Sequence, residues 1–165
     1  MKPKSRYSQH DFQFARFSLS SREFGLDVRD VKEIIRLKGL ERPSGTPAFL
    51  DGFVWLRTIL VPVIDLRKRF SLPAPFEDET RVIICLVESR IAGLVVDKVT
   101  EIAEEGGQET GSKPPDGPWA GCVDAVVNTS HGPVMMLSLK GLLSNEEKKV
   151  LSGPIGGNDL APDSD

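Results

Sequence analysis

The stretch from Gly52 to Leu66, G-F-V-W-L-R-T-I-L-V-P-V-I-D-L, is the densest apolar run in the sequence. Apolar residues occupy both faces of an extended chain on either side of Arg57-Thr58, which predicts two largely buried strands joined by a turn. Pro62 has no amide hydrogen, so it is expected at a sheet edge or bulge. Asp65 is placed to cap a short helix, Leu66-Arg67-Lys68-Arg69-Phe70, whose basic residues are expected to form a solvated face.

The rest of the chain shows the same kind of pattern. Phe12 to Leu19 alternates with one slip, as a bulged strand does, and a turn at Ser20-Ser21-Arg22 leads into a second arm from Phe24 to Val28. Asp27 is placed to cap a short helical turn. Further strands are predicted over Val82–Val87, Ile91–Val96, Val99–Ile102, Cys122–Val127 and Val134–Leu139. Many short strands separated by turn signals favour a mainly β protein built of small barrels.

The helices and boundaries complete this prediction. A last helix is expected near Leu139 to Leu151, and Ser144 and Glu147 have the spacing of a capping box, which predicts a break or restart there. The proline-rich and acidic stretch Leu72–Glu79 is expected to be a linker. We therefore expect a flexible N-terminus (1–11), a single domain (12–151) and a disordered acidic tail (152–165). Within the domain, the first barrel covers about 12–72 plus the C-terminal strand and helix, and the second about 80–130.

Composition excludes several classes of function. The net charge of −3 carries no basic excess, which argues against nucleic acid or an anionic membrane as the main partner. The two cysteines, Cys85 and Cys122, form no C-x-x-C pair and are expected to be buried and reduced, as in the cytoplasm. The N-terminus lacks the apolar segment of a signal peptide. No apolar stretch approaches the roughly 20 residues of a membrane span. These features predict a soluble, cytoplasmic protein.

The sequence contains no recognisable catalytic constellation. Its two histidines, His10 and His131, lie in polar contexts, and there is no H-E-x-x-H, no G-x-S-x-G and no glycine loop in a strand–turn–helix context. We therefore expect no enzymatic activity, no cofactor and no metal, and we expect a binding module. Arg57 interrupts the central hairpin, either because the turn places it in solvent or because it holds a charge at the rim of an apolar groove. Spacing alone leaves the two readings even.

Several motifs carry a family resemblance when they are taken in order. They are F-x-F-x-L, E-F-G-L-D-V-x-x-V-K-E-I, P-A-F-L-D-G, W-L-R-T-I-L-V-P-V-I-D-L-R, R-I-A-G-L-V-V-D-K-V-T-E-I and M-L-S-L-K-G-L-L. Together they resemble the CheW-like family, the chemotaxis coupling proteins, over about Phe12 to Leu151. V-P-V-I-D-L-R and G-L-V-V-D-x-V are the specific elements because of their order and separation.

The resemblance implies two intertwined five-stranded SH3-like barrels with a hydrophobic core between them, together with short helices and a C-terminal helix. It implies a non-enzymatic adaptor that couples the cytoplasmic tip of methyl-accepting chemoreceptors to the regulatory domain of a CheA-type histidine kinase. Such a protein is cytoplasmic and recruited to receptor arrays at the inner face of the membrane. By the same resemblance, the positions that bear on partner binding are Val31, Glu33, Gly52, Arg57, Gly93, Val99 and Ile102. Val31 and Val99 would help to line a groove for a receptor helix.

The chain departs from the family pattern at the central turn. Where the family usually reads N-L-R-G, this sequence has Trp55-Leu56-Arg57-Thr58. Threonine disfavours the positive φ that glycine permits, so a different turn type is expected, and Trp55 and Thr58 become possible contacts to a changed partner. Two alternatives stay open: a CheW-like paralogue that scaffolds a divergent kinase in another motility or developmental system, and a small-barrel nucleic-acid binder, which the acidic balance disfavours.

Overall fold

The computed structural model describes residues 13–103, 108–109 and 113–152. The strands in this part of the chain are β1 (Phe14–Leu19), β2 (Arg22–Asp27), β3 (Val31–Arg36), β4 (Gly52–Leu56), β5 (Ile59–Asp65), β6 (Arg81–Val87), β7 (Arg90–Val96), β8 (Lys98–Ala103), β9 (Gln108–Glu109), β10 (Val123–Thr129) and β11 (Gly132–Leu137). The helices are α1 (Leu66–Arg69), α2 (Leu139–Leu142) and α3 (Asn145–Ser152), with 3₁₀ turns at Val28–Asp30 and Ala120–Cys122. The predictions for 1–11 and for the tail beyond Ser152 fall outside the described residues.

Two sheets are built from interleaved parts of the chain. The first has the strand order β8-β1-β2-β11-β10-β9, and the second has the order β3-β6-β7-β5-β4. The chain leaves the first sheet after β2, builds the whole second sheet, and returns to the first at β8. An isolated bridge between Glu41 and Phe53 continues the path of β3 onto the outer side of β4, which brings the two edges of the second sheet together. The prediction of a mainly β protein with two intertwined barrels is confirmed. The first sheet forms the first barrel, and the second sheet forms the second barrel.

The division of the strands differs from the expected one. Instead of the chain before the linker forming one barrel, only its first hairpin, β1 and β2, lies in the first sheet, while β3, β4 and β5 lie with β6 and β7. The first sheet also has six strands rather than five, because two-residue β9 extends it beside β10. Alternation along a strand shows which residues are buried but not which distant strand pairs with it, so the assignment could not be read from the sequence.

Pro62 lies inside a sheet, so its predicted position at an edge or bulge is wrong. It stands on β5, between β4 and β7, opposite Phe53. The backbone N–H and C=O of Phe53 bond to Glu41 at 2.7 and 2.9 Å, so the nitrogen of Pro62 faces away from β4. Pairing with β7 begins only at Val63. Proline is tolerated because no ladder bond requires its missing donor.

The two predicted helix caps are present in the structure. Asp65 caps α1 by accepting the amide hydrogen of Arg67 at 2.9 Å. Asp27 caps the first 3₁₀ turn in the same way. Caps could be predicted because each depends on residues within one turn of it. The bulge predicted in β1 is wrong: the pairing of β1 with β8 does shift register between Arg16 and Phe17, but the extra residue is Thr100 on β8.

The apolar residues form three clusters. The largest draws residues from both sheets, such as Phe24 of β2 and Ile83 of β6, and therefore lies between the barrels. The first sheet has its own cluster of Phe14, Ala125, Val127, Val134 and Met136. The second has Val54, Val61, Val63, Val82, Ile84 and Val95. Because β6 contributes alternately to two clusters, both of its faces are buried, which explains its uninterrupted apolar sequence.

Helix α1 is docked between the barrels and does not present the solvated basic face that was expected. The Arg67 side chain is only 3% exposed and pairs with Asp65 at 2.9 Å and with Asp97 at 3.1 Å. It also donates to the carbonyl of Pro75 at 2.6 Å, so the guanidinium is well satisfied in its buried position. The next turn places Phe70 against Phe24 and Trp119, with ring centroids about 6 Å apart. This helix fixes the start of the following linker.

Candidate partner-binding site

The turn between β4 and β5 contains two residues, and its backbone is strained at the first of them. Leu56 and Ile59 form the last pair of the hairpin. Arg57 has a φ of 56°, whereas Thr58 is not among the residues with positive φ. Two-residue hairpin turns with a positive φ at the first central position usually have glycine there. The left-handed strain, roughly 1–2 kcal/mol, therefore falls on Arg57 and not on Thr58.

Arg57 reaches from the turn between β4 and β5 to Glu33 on β3. Its Nη2 donates to Oε1 of Glu33 at 2.8 Å, and the two side chains are 74% and 31% exposed. The other carboxylate oxygen of Glu33, Oε2, is buried and has no hydrogen-bond partner. The contact is therefore single and largely exposed, a geometry that contributes at most about 1 kcal/mol. Such a pair orients the arginine without holding it tightly.

Apolar residues flank Arg57 along the hairpin. Ile59 is 49% exposed, a large fraction for a strand residue of its size. Trp55, opposite Leu60, is partly buried, and Thr58 is exposed at the tip of the turn. The end of the hairpin thus combines one exposed guanidinium with apolar surface, the composition that is enriched at protein–protein interfaces.

The three aliphatic residues predicted to bind partners lie on two strands, β3 and β8. Val31 begins β3 opposite Cys85, and Val99 lies on β8 opposite Phe17; both are partly buried against the cluster between the barrels. Ile102, farther along β8, is 46% exposed. Val31 and Val99 therefore belong to different sheets but pack against the same inter-barrel core. Of these three residues, only Ile102 is exposed. Of the predicted set, the structure joins Glu33 and Arg57 directly.

The two predicted glycines have steric reasons to be glycine. At Gly52, which has a φ of 151°, an added Cβ would lie 2.6 Å from the carbonyl oxygen of Glu41. At Gly93, an added Cβ would lie 2.7 Å from Cγ1 of Val82 and 3.3 Å from Cγ2 of Val63. Side chains at either position would displace barrel strands. Their role at a binding site is therefore to let neighbouring strands approach closely.

The described residues include neither a metal-ligand cluster nor a helix suited to crossing a membrane. No group of three or more His, Cys, Asp and Glu side chains among them is arranged to hold a metal ion. Within the same ranges, no helix is long and apolar enough to cross a membrane. Sequence reasoning passed over one exposed residue, Phe76, which is 64% exposed in the proline-rich linker. The sequence feature that could have indicated this exposure is the position of the aromatic residue directly before three acids, which do not favour burial.

Two interleaved barrels around a shared apolar core, with an exposed arginine at a hairpin tip, define a β-barrel protein-interaction module. The family model for the CheW-like domain matches residues 13–147 of this chain. The chain therefore belongs to the CheW-like family.

Individual relatives agree with this assignment. The chain is 28% identical over 153 residues to the chemotaxis protein CheW of Treponema pallidum, covering 88% of this chain and 89% of that protein. It is 37% identical over 91 residues to the chemotaxis protein CheW of Klebsiella aerogenes, where the match covers 54% of this chain and about half, 55%, of the relative. The crystal structure of the scaffolding protein TtCheW from Thermoanaerobacter tengcongensis superposes with a TM-score of 0.70 at 29% identity, covering 80% of this chain and 92% of that one.

Proposed function

We propose that this protein is a non-enzymatic adaptor that couples chemoreceptors to a CheA-type histidine kinase in bacterial chemotaxis. Family membership supports the proposal, and the observation that carries it is the geometry of Arg57. Its side chain is 74% exposed and its guanidinium uses only one N–H on Glu33, so the rest of its donors can meet a partner's carboxylate. As proposed, the protein works in the cytoplasm and joins receptor arrays at the inner face of the membrane.

The proposed binding mode assigns the kinase and the receptor to different surfaces. The hairpin tip presents Arg57 between apolar neighbours to the regulatory domain of the kinase. The edges of the core at Val31, Val99 and Ile102 accept the apolar face of a receptor helix, a recurring way for a helix to bind in a groove. Exposed Ile102 would be buried by that helix. Its burial would contribute about 1–2 kcal/mol to binding.

Isothermal titration calorimetry with the purified kinase regulatory domain and a receptor cytoplasmic fragment from the same genome tests the coupling role. We expect the adaptor to bind both, and Arg57→Glu to weaken kinase binding about tenfold or more through reversal of charge in the interface. Lys149→Glu, an equal change of charge on exposed α3, should bind as the wild type does. Absence of binding to both partners would refute the function. Equal affinities of the two variants for the kinase would show only that Arg57 is not a contact residue.

A second function is favoured by the hairpin itself. Trp55 and Thr58 stand where the family usually has other residues, and Trp55 is partly exposed beside Arg57. We propose as the alternative that the protein scaffolds a divergent kinase of another motility or developmental system. Binding to such a kinase, lost in Trp55→Asn/Thr58→Gly while affinity for the chemotaxis kinase rises, would favour this alternative.

A further inference from the structure

The segment between α1 and β6 is a fixed part of the surface. The carbonyl of Pro75 accepts a 2.6 Å hydrogen bond from buried Arg67. Two residues later, the amide of Glu77 donates to Oγ1 of Thr80 at 2.9 Å, and the amide of Thr80 donates back to the carbonyl of Glu77 at 3.0 Å. Thr80 is only 1% exposed. Phe76 is thus anchored on both sides by its neighbours' backbone groups.

Between these anchors Phe76 projects into solvent. It is 64% exposed, the most exposed of the large apolar side chains in the described ranges. A phenylalanine held in this way has a fixed backbone, so binding through it loses little chain entropy. Aromatic residues presented with such preorganisation are frequent anchors of protein interfaces.

The charges around Phe76 select the chemistry of a partner. Glu77, Asp78 and Glu79 follow it, all exposed, and none of their carboxylates has an ion pair with another described residue. The segment also forms one wall of a cavity of about 520 Å³. The charged residues that line this cavity are Glu23, Glu77, Glu79, Asp97 and Lys98. Glu23 is paired with Arg16 and Asp97 with Arg67, whereas Arg81 binds only the backbone of the acidic segment, through the carbonyls of Asp78 and Thr80. The carboxylates available to a partner beside exposed Phe76 are therefore those that follow it in the chain.

This surface is separate from the hairpin site. Arg57 precedes the first residue of β5, whereas α1 and the linker follow its last residue. The seven residues of β5 place the two ends about 20 Å apart. A partner on the linker therefore leaves the Arg57 surface accessible.

We propose that Phe76 and the acids after it form a second docking surface, for a protein segment that carries lysine or arginine next to an aliphatic residue. The aliphatic residue packs on the ring of Phe76, and the cation enters the cavity beside Glu77 and Glu79. Anionic lipids and nucleic acids are repelled by the same charges. A second copy bound symmetrically would set acidic surface against acidic surface, which opposes self-association through this face.

The test uses the full chain and a short fluorescein-labelled peptide of alternating lysine and leucine, measured by fluorescence anisotropy. We expect saturable binding that Phe76→Ser and Glu79→Lys each weaken about tenfold. Val150→Ser and Asp116→Lys are matched controls, one exposed apolar residue and one exposed acid elsewhere, and should bind as the wild type does. Phe76 is exposed, so Phe76→Ser should retain the wild-type unfolding midpoint.

Two comparison peptides separate the contributions. A peptide of alternating glutamate and leucine should not bind, and one of alternating lysine and serine should bind no more tightly than Phe76→Ser binds the original. Amide shifts in an NMR titration should centre on residues 76–79 and extend to Ser20 and Asp97. The proposal is overturned by unchanged affinity in Phe76→Ser, by binding of the acidic peptide, by shifts centred on Arg57, or by a dimer that Phe76→Ser dissolves. None of these readouts depends on the kinase or the receptor.

Discussion

Arg57 joins the turn between β4 and β5 to strand β3 through a single 2.8 Å contact between its Nη2 and Oε1 of Glu33. Strands β3 and β4 are the two outer strands of the second sheet, and the Glu41–Phe53 bridge also links their ends. The ion pair therefore lies where the barrel closes. Because it is exposed, it supplies little closing energy, and its main effect is to orient a charged side chain outward.

The Arg57→Gly variant separates the effect of backbone strain at this turn from the effect of the arginine side chain. Glycine relieves the positive φ of 56°, which costs arginine roughly 1–2 kcal/mol, and gives up an ion pair that contributes at most about 1 kcal/mol. We expect thermal denaturation to show a variant as stable as the wild type or up to about 1 kcal/mol more stable, while its affinity for the kinase falls. Arg57→Ala keeps the strain and should not be stabilised. A large loss of stability in Arg57→Gly would contradict this account.

Gly52→Ala should be strongly destabilising because it combines two costs. The added Cβ would lie 2.6 Å from the carbonyl oxygen of Glu41, and the φ of 151° is unfavourable for alanine. We expect a loss of more than about 2 kcal/mol in urea denaturation. Gly45→Ala is the control, since Gly45 also has positive φ, at 87°, but open space around it, and should cost only about 1 kcal/mol. Equal losses would show that the backbone angle alone matters at Gly52.

Gly93→Ala should be destabilising through packing alone. Its added Cβ would lie 2.7 Å from Cγ1 of Val82, within the apolar cluster of the second barrel. Overpacking of this kind typically costs about 1–3 kcal/mol. The double variant Gly93→Ala/Val82→Ala removes the clashing methyl, so its loss should be smaller than the sum of the two single losses. Strict additivity in the denaturation free energies would argue against the contact.

The features that the sequence predicts correctly are those that depend on residues close together in the chain. The caps at Asp27 and Asp65 and the strands of the central hairpin depend on near neighbours, and the sequence predicts them correctly. The bulge lies on β8 and not on β1, because it depends on how these two distant strands pair. The parallel pairing of β2 with β11, which sets Phe24 opposite Met135, depends on a contact across most of the chain and left no periodic signal. The position of Pro62 inside a sheet could not be predicted for the same reason, because it depends on the pairing of β5 with distant β7.

The candidate site was only partly predictable for a similar reason. The family resemblance selected Arg57 and Glu33, and the structure pairs them. It did not indicate that the strain lies on Arg57 rather than Thr58, because turn type depends on the twist of both strands. The exposure of Phe76 could not be predicted either, because the proline-rich and acidic composition of Leu72–Glu79 indicates a linker but not which of its side chains faces solvent.

The capping box between α2 and α3 predicts a pH-dependent contribution to stability. The amide of Ser144 donates to Oε1 of Glu147 at 2.8 Å, and the amide of Glu147 donates to Oγ of Ser144 at 3.1 Å. Arg69 adds contacts at 2.5 and 3.1 Å from α1, so Glu147 ties the C-terminal helix to the second barrel. Hydrogen bonds from the Arg69 guanidinium are the main cause that holds the pKa of Glu147 below its ordinary value of 4.5.

A lowered pKa in the folded state means that the carboxylate stabilises the protein above its unfolded pKa. That contribution is lost as the pH falls from about 4.5 through the folded pKa. We expect Glu147→Gln to lose about 1 kcal/mol at neutral pH and to converge with the wild type in acid, as measured by urea denaturation across pH. Glu146→Gln, at the exposed neighbouring position, should show neither the loss nor the convergence. A deficit in Glu147→Gln that persists unchanged in acid would assign the effect to shape and not to charge.

The two cysteines should differ from ordinary thiols in their reactivity. Burial, with a smaller effect of Asp30, raises the pKa of Cys85 to about 12, and its side chain is inaccessible. Burial also raises the pKa of Cys122, whose residue is 8% exposed, although Arg69 opposes that shift. At mildly alkaline pH both remain protonated in the folded protein, and only thiolates react quickly with disulfide reagents. We expect Cys85 to react with Ellman's reagent only at the rate of unfolding, and Cys122 to react sooner. In Cys122→Ala, a single slow phase whose rate rises with urea should remain, and rapid labelling of Cys85 in the native protein would contradict its placement in the core between the barrels.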